Sequence, residues 1–492
     1  MDNRLITFAV TAAICLASCS NDEVMEQNSD PKGKAITFYA KVGHSTRADE
    51  TNISNLGNFY VFGKSVHPGG TLYNAYLVGE ESDSENRFIP GTAIRTNSSW
   101  SLGYDVYLPE GIEDAVFWAF TDGQIGSAKI LSNGSIAFNS NLGPQITGYT
   151  IPKADLTDDR QTVWADGSRQ KDLVSAFGQA RQTGGTLSNS IKLDFNHLLS
   201  QVTIKAAQEN KAENDHRIVK VKGAWIVNVK NKADLSAGYS YDQTNHIGSD
   251  EPKWTILNSS IPFGTYFKSP VELWNYKGGD SDDGWADLTS TSLMLIPQTL
   301  SGLQFDNIES SETTGTYIML LCRVELMHDG ITHDDDTDIS DIMVDKEGRK
   351  HYHQQFPVTK EDNGIQKYNA NEYGLSCIPV KIDLKKGMHY TFKLDICGDN
   401  SGAGYYPPNY KAEDIEKLIP KSDLYDENTN KNGIKVIKIP DNKKPGQPVL
   451  DGPIQFTVSV NKWEDENWTW TNGTWTNETD KTNTTGESSD NN

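Results

Sequence analysis

The stretch Ile36–Val42, ITFYAKV, decides the fold class of this chain, because apolar side chains occupy every second position along it. Ile36, Phe38, Ala40 and Val42 share one face, and the intervening positions carry polar or amphipathic side chains. A period of two predicts a β-strand with one buried face and one face toward solvent.

The same alternation recurs along the rest of the chain, and helical patterns are sparse. The parity of the apolar positions changes after Leu199, which predicts a β-bulge near Ser200. The strongest helical pattern, Lys411–Leu418, covers about two turns. Many short strands with little helix predict an all-β protein built from antiparallel β-sandwiches. The clearest alternating sets are Leu193, Phe195, His197 and Leu199; Val202, Ile204 and Ala206; Ile318, Leu320, Cys322, Val324 and Leu326; Tyr390, Phe392, Leu394 and Ile396; and Ile454, Phe456, Val458 and Val460.

The length of 492 residues favours two or three domains. A stretch rich in Thr, Gly and Ser at 183–190 predicts a domain boundary. We therefore expect a flexible polar tether at 19–35, an N-terminal sandwich at 36–185, and a C-terminal sandwich with insertions at 186–467. The segment Gly43–Gly57 has no apolar run and carries Arg47, so it is expected to be an exposed loop that proteases can reach.

The first eighteen residues have the pattern of a secretory signal peptide. Arg4 precedes an apolar run from Leu5 to Ile14, and small residues lead up to Cys19. The run is shorter than the roughly 20 apolar residues that a permanent membrane helix needs. Leu16-Ala17-Ser18-Cys19 looks like a lipobox, which predicts that the Cys19 thiol is acylated and becomes the first residue of a membrane-tethered chain. An ordinary signal peptide with a chance cysteine is the alternative.

Composition excludes some partners. The net charge is −22, and a chain this acidic repels phosphate backbones, so no nucleic-acid partner is expected. Apart from a lipid anchor, the same charge disfavours contact with anionic membrane surfaces. After signal cleavage and lipidation, Cys322, Cys377 and Cys397 remain, which allows at most one disulfide.

The C-terminal segment 468–492 contains a hairpin pattern. Asn472-Gly473, the pair favoured in two-residue type I′ turns, is flanked by Trp-Thr repeats. In that register Trp470 faces Trp475, and Trp468 lies nearer the open end of the hairpin. The alternative is that Trp468–Thr476 stays extended and serves as a strand for another subunit. The polar tail that follows is expected to be disordered.

No motif carries catalytic chemistry, so we expect no enzyme, no catalytic residue, no metal and no cofactor. The sequence lacks a phosphate-binding loop, Gly-x-Ser-x-Gly, His-Glu-x-x-His and Cys-x-x-Cys. His351 and His353 lack a third ligand nearby, and the acidic segment His333–Asp338 lacks the ligand spacing of a calcium loop. Eleven tryptophans suit either sandwich cores or sugar stacking. A cleft with converging, pKa-perturbed acids would strengthen the case for an enzyme.

Several segments, taken in order, resemble the fimbrillin family, which comprises lipoprotein-derived pilins that assemble into outer-membrane fimbriae. The resemblance implies two tandem Greek-key, transthyretin-like β-sandwich domains. It also implies an outer-membrane lipoprotein that becomes part of a fimbrium, with other fimbrial subunits as partners. The segments are the lipobox at Cys19, Ile36–Ala40, Thr46-Arg47-Ala48, Leu193–Val202, Leu295–Gln298, Gly387–Tyr390 and Val458–Trp463.

The resemblance further implies polymerisation by strand exchange. In such pilins a trypsin-like protease cuts at a basic residue after the first strand, and a strand from the next subunit fills the groove. Here the exchanged strand would present Ile36, Phe38, Ala40 and Val42, and the cut would separate Arg47 from Ala48. Arg47 as an ordinary loop charge remains the alternative.

Shaft subunits of this family donate a C-terminal strand, whereas this chain ends in the Trp and Asn-Gly segment. A hairpin there favours a tip or accessory subunit, an extended segment favours a shaft subunit, and an uncut chain would remain a lipid-held anchor. The leading hypothesis is a structural subunit or adhesin of a fimbria, with a host or bacterial surface ligand as a further partner. The alternative is a surface-anchored glycan-binding lipoprotein, and an enzyme comes third.

Overall fold

The computed structural model describes residues 35–462, with gaps, and the two segments 468–471 and 474–477. The gaps are 43–55, 83–86, 110–111, 113, 123–134, 152–153, 156–161, 164–169, 184–185, 211–215, 290, 306–314, 330–341, 345–349, 359–368 and 409–411. The described chain is almost entirely β-structure, as the alternating patterns predict.

The first fifteen strands lie within residues 37–197. They are β1 (Thr37–Val42), β2 (Phe59–Val66), β3 (Leu72–Val78), β4 (Glu80–Ser82), β5 (Arg87–Ile89), β6 (Gly91–Thr96), β7 (Ser99–Leu102), β8 (Asp114–Thr121), β9 (Ser135–Asn139), β10 (Gly143–Thr150), β11 (Ala154–Asp155), β12 (Thr162–Val163), β13 (Val174–Thr183), β14 (Thr186–Leu187) and β15 (Ser190–His197).

Seven of these strands close into a ring. Following the hydrogen-bonded neighbours gives the order β13-β15-β1-β7-β6-β2-β8, and β8 pairs again with β13. β3 and β14 extend the same sheet outside the ring. The β1–β15 pair is parallel, and the other six pairs of the ring are antiparallel. A closed ring leaves no free edge among its strands.

The ring encloses its own apolar core. The inward side chains of β1, β2, β8 and β15 form one buried cluster, with Phe38, Phe59, Phe117 and Phe195 among its largest members. β2 and β8 are buried along their whole length, because their outward side chains join a second cluster shared with the C-terminal half. By contrast, the outward face of β1 is only half-buried.

The remaining strands begin at Ser200. They are β16 (Ser200–Ala207), β17 (Arg217–Lys230), β18 (Lys232–Ser236), β19 (Ser240–Asp242), β20 (Ile247–Ser249), β21 (Lys253–Ile256), β22 (Ser260–Glu272), β23 (Ala286–Asp287), β24 (Leu293–Leu295), β25 (Thr299–Ser301), β26 (Tyr317–Asp329), β27 (Ile342–Val344), β28 (Lys350–Phe356), β29 (Glu372–Pro379), β30 (Lys381–Asp383), β31 (Met388–Asp395), β32 (Lys435–Val436), β33 (Gln455–Lys462), β34 (Trp468–Thr471) and β35 (Thr474–Asn477).

Two of the C-terminal sheets face each other across a common core. One has the order β23-β16-β31-β33, and the other runs β22-β17-β26-β28-β27 with β29 also on β26. Alternate residues of β16, β31, β17 and β26 fill the space between them, which is the packing of a sandwich. The N-terminal sheet forms a ring rather than two separate layers. The tandem Greek-key, transthyretin-like assignment therefore stays a prediction and is not confirmed.

The predicted bulge near Ser200 is wrong, because the chain changes sheets there. β15 ends at His197 in the ring, and β16 starts at Ser200 in the sandwich. The parity shift therefore marks the crossing between two sheets. The boundary expected at 185/186 lies between β13 and β14, and β15, on its C-terminal side, still belongs to the ring, where it pairs with β1 and β13. The two halves also share a small sheet, in which β10 pairs with β18.

Other expectations have definite outcomes. The predicted helix at Lys411–Leu418 is present as the shorter α1 (Ala412–Glu416), and the described short 3₁₀ turns are Leu273–Asn275, Asp282–Gly284 and Lys421–Asp423. Cys322, Cys377 and Cys397 are buried, and none of them forms a disulfide with another described residue. Within the ranges given above, no helix has the length and apolar character needed to span a membrane.

Candidate functional site

β1 occupies a central position in the ring. Its six residues pair in register with β15, from Thr37 opposite Ser190 to Val42 opposite Phe195. On its other side Thr37 and Phe38 pair with β7. The predicted strand is therefore confirmed, and it lies between two neighbours rather than at the edge of a sheet.

The side chains of β1 alternate between core and surface as the sequence predicts. Ile36, Phe38, Ala40 and Val42 are all buried, and Phe38 has no exposed surface. Phe38 packs edge-on against Phe59 and Phe117, with ring centroids 6.1 and 5.7 Å away. Because aromatic edge contacts add to the burial of apolar area, Phe38 is the strongest single anchor of the strand.

The start of β1 is fixed by backbone contacts. The Ile36 amide donates to the carbonyl of Val106 at 2.8 Å, and the Thr37 amide donates to the carbonyl of Asn189 at 2.9 Å. The Asn189 side-chain amide also donates to the carbonyl of Ala35 at 3.0 Å. Further along, the Lys41 ammonium lies 3.0 Å from the Asp194 carboxylate on the outer surface. A strand that replaced β1 would have to re-form the backbone bonds, and the surface ion pair is dispensable.

The slot that β1 fills is lined by aromatic rings. Phe59 lies between Trp100 and Phe195, with centroids 5.6 and 5.1 Å away. Trp100 is itself held by an indole N–H that donates to the carbonyl of Gly57 at 2.7 Å. These rings belong to strands β2, β7 and β15, so the walls of the slot are part of the chain that would remain after β1 is removed. Without β1, an apolar groove and two unpaired strand edges would face solvent.

Near the N-terminus, three predicted site residues lie outside the described residues: Cys19, Arg47 and Ala48. The described chain stops at Val42 and resumes at Leu56, so the segment that carries Arg47 directly follows β1 along the sequence. Lipidation at Cys19 and cleavage between Arg47 and Ala48 stay predictions.

The C-terminal segment is paired as a hairpin. β34 and β35 are antiparallel neighbours, with Trp470 opposite Trp475 and Trp468 opposite Asn477. This is the register that the sequence predicts. Asn472 and Gly473 lie outside the described residues, and nothing is described of the tryptophan side chains.

β33 is more exposed to solvent than the alternation in its sequence predicts. Phe456, Val458 and Val460 point to the core side of the sheet, opposite buried residues of β31, yet Phe456 is 36% and Val460 44% exposed. β33 pairs with β31 and ends its sheet, and both side chains keep part of their surface in solvent. Periodicity identifies the apolar face of a strand but carries no information on whether a second sheet covers it.

The metal candidates remain weak. His351 and His353 lie two residues apart on β28, and the acidic segment 333–338 lies outside the described residues. Among the residues that the structure describes, no three His, Cys, Asp or Glu side chains are grouped to hold a metal ion.

No protein-family model and no curated protein matches this sequence. Some solved structures are similar at low identity. A fimbrial protein from Bacteroides vulgatus is 14% identical over 73% of this chain and 94% of its own, with a TM-score of 0.37. A candidate cell adhesion protein from Bacteroides eggerthii is 11% identical over 89% and 98%, with a TM-score of 0.34. Another from Parabacteroides distasonis is 9% identical over 87% and 100%, with a TM-score of 0.33. Because these TM-scores are below 0.5, the likenesses assign neither an activity nor a partner to this chain.

Proposed function

We propose that this chain is a structural subunit or tip adhesin of a cell-surface fimbria, exported as an outer-membrane lipoprotein and joined to other subunits by β-strand exchange. The observation that carries the proposal is the position of β1. It pairs with a neighbour on each side within the closed ring, and it is the first strand of that ring along the chain. The chain needs to be cut once, in the segment that follows β1, for that strand to become a separate peptide.

The energetics of the slot favour refilling. Burial of an apolar side chain the size of Ile36, Phe38 or Val42 contributes about 1.5–3 kcal/mol each, and an empty slot loses this along with the ladder hydrogen bonds. A strand from another subunit with apolar residues at alternate positions would restore both terms, which is β-augmentation inside the ring. The joint would be noncovalent and would still bury several large side chains.

One cut would also free the subunit from its anchor. The acyl chains expected on Cys19 and the whole of β1 lie on the N-terminal side of Arg47, so cleavage there places both on the same fragment. The subunit then leaves the membrane when β1 leaves the ring. Cleavage and polymerisation would thereby be coupled by the order of the segments along the chain.

The C-terminal hairpin supports the tip or accessory role. β34 is already paired with β35, and a strand in a hairpin has to open before it can be donated to a neighbour. A subunit that accepts a strand but does not donate one would end the polymer.

The test is an exchange assay on the purified chain. After trypsin treatment, a fluorescent synthetic peptide with the sequence of residues 35–42 should replace the resident strand and raise the fluorescence anisotropy. Mass spectrometry should show the large fragment beginning at Ala48. The assay reports on the slot alone, so its result is independent of tip or shaft role.

The matched variants are Arg47→Gln, which removes the cut, and Lys34→Gln, which removes a basic residue on the other side of β1. Arg47→Gln should abolish peptide uptake and Lys34→Gln should leave it unchanged. Failure of the cut wild-type chain to take up the peptide would refute the strand-exchange proposal.

A further inference from the structure

A polar cleft of about 270 Å³ lies at one end of the C-terminal sandwich. It opens where β16 and β31 end and β33 begins, far along the chain from β1. Its walls combine carboxylates, amides and aromatic rings. The lining residues include Glu209, Trp285, Asp395, Asp399, Asn400 and Phe456.

Hydrogen bonds hold the floor of the cleft in place. Asp395 is 9% exposed, and its carboxylate accepts a hydrogen bond from the backbone amide of Glu209 at 2.7 Å. The Trp285 indole N–H donates to the carbonyl of Gly279 at 2.8 Å. The Lys393 ammonium lies over the Trp285 ring, 5.3 Å from its centre. Groups held in this way lose little conformational entropy when a ligand binds.

The rim of the cleft is open to solvent. Asp399 and Asn400 are exposed, and Phe456 presents more than a third of its surface. Carboxylates accept hydrogen bonds from hydroxyl groups, and the Asn400 amide can both donate and accept them. The exposed part of Phe456 supplies aromatic surface against which the C–H side of a pyranose can pack.

The charge of the cleft restricts the ligand. Glu209, Asp395 and Asp399 supply carboxylates, and Lys393, the one cation among the described lining residues, lies 3.3 Å from a carboxylate oxygen of Asp282. Burial raises the pKa of Asp395 to about 6, so this carboxylate is ionised at neutral pH. Phosphates, uronic acids and sialic acids would be repelled. The described residues also offer no grouping suited to a metal ion.

We propose that this cleft binds a neutral hexose unit of a glycan. The inference deepens the adhesin role of the proposed function by naming the class of its ligand, and it does not depend on strand exchange. The cleft combines aromatic surface, several groups that accept hydrogen bonds from hydroxyls, and a negative charge that excludes acidic sugars. Neutral pyranoses match this combination.

Saturation-transfer NMR on the full chain tests the proposal, with the methyl glycosides of glucose, galactose, mannose and N-acetylglucosamine as probes and sialic acid as the excluded sugar. We expect transfer to at least one neutral glycoside and none to sialic acid. Phe456→Ala and Asp399→Asn should each weaken binding tenfold or more. Both side chains are exposed, so neither change should unfold the protein.

Val460→Ala is the matched control, because Val460 lies on the same face of β33 and is similarly exposed but does not line the cleft. It should leave binding unchanged. Transfer to none of the neutral glycosides, or equal loss in the control, would overturn the proposal. Release of nitrophenol from aryl glycosides would replace it with a hydrolase, since raised acid pKa values also characterise such enzymes. If Phe456→Ala loses glycoside binding but still takes up the β1 peptide, the loss concerns the cleft alone and leaves the proposed function intact.

Discussion

Replacement of Phe38 by alanine should lower the free energy of unfolding by about 3–5 kcal/mol, the range for loss of a fully buried aromatic side chain. Phe38 has no exposed surface and packs edge-on against Phe59 and Phe117. The surrounding rings belong to strands held on both sides in the closed ring, so they have little freedom to collapse into the cavity. Denaturant unfolding, followed by tryptophan fluorescence and circular dichroism, measures the loss.

The control is Thr37→Ala, one residue earlier on the opposite, half-buried face of β1. It should cost about 1 kcal/mol or less, the span of strand propensities. In the exchange assay, the Phe38→Ala strand should also leave the cut ring faster than the wild-type strand. Equal losses in the two variants would mean that β1 is not anchored through its inner face, which would remove the physical basis of the slot.

The strand β1 could be predicted from the sequence because its two faces differ in polarity at every position. Its partners could not. The parallel register with β15 joins residues about 150 positions apart, and alternation along a strand says nothing about which strand lies beside it. Closure of the ring is likewise a property of pairing, and β2 and β8 are buried on both faces only because the C-terminal half packs on the outside.

In the candidate sites, too, local features could be predicted from the sequence and contacts between distant segments could not. Its strand and the register of the C-terminal hairpin could be predicted locally, from alternation and from Asn472-Gly473. The polar cleft brings together Glu209, Trp285, Asp395 and Phe456, which lie up to 247 positions apart in the sequence. No local motif marks such a site, because its residue types are common in loops and its geometry arises only from the ends of three strands meeting.

In β26 the alternation predicts burial of the apolar face but not of the opposite face, which carries charged residues. Ile318, Leu320, Cys322 and Val324 fill the sandwich core as the alternation predicts. Arg323 and Glu325 lie on the opposite face and would be expected in solvent, yet both are completely buried. The Arg323 guanidinium donates to the Glu325 carboxylate, and the Gln354 side-chain carbonyl accepts from Arg323 at 3.0 Å.

This buried pair has a third charged member. The Lys220 ammonium donates to the Glu325 carboxylate at 2.9 Å. Burial alone would raise the pKa of Glu325, but the charges of Arg323 and Lys220 outweigh it and hold that pKa below its usual value. The carboxylate therefore stabilises the fold above its ordinary pKa, and this contribution is lost as the pH falls through the lowered value.

Replacement of Glu325 by leucine should cost about 3–5 kcal/mol, because it leaves the Arg323 guanidinium buried without its counter-charge. The double variant Arg323→Met with Glu325→Leu removes both buried charges and should recover most of that loss, giving a coupling energy of about 2 kcal/mol or more. Asp194→Asn, which breaks the exposed pair with Lys41, is the matched control and should change stability by about 1 kcal/mol at most. Denaturant unfolding of the wild type, Glu325→Leu, Arg323→Met and the double variant measures the cycle. If the double variant lost the sum of the two single losses, the pair would contribute through separate contacts and not as a coupled ion pair, and the buried face of β26 would need another explanation.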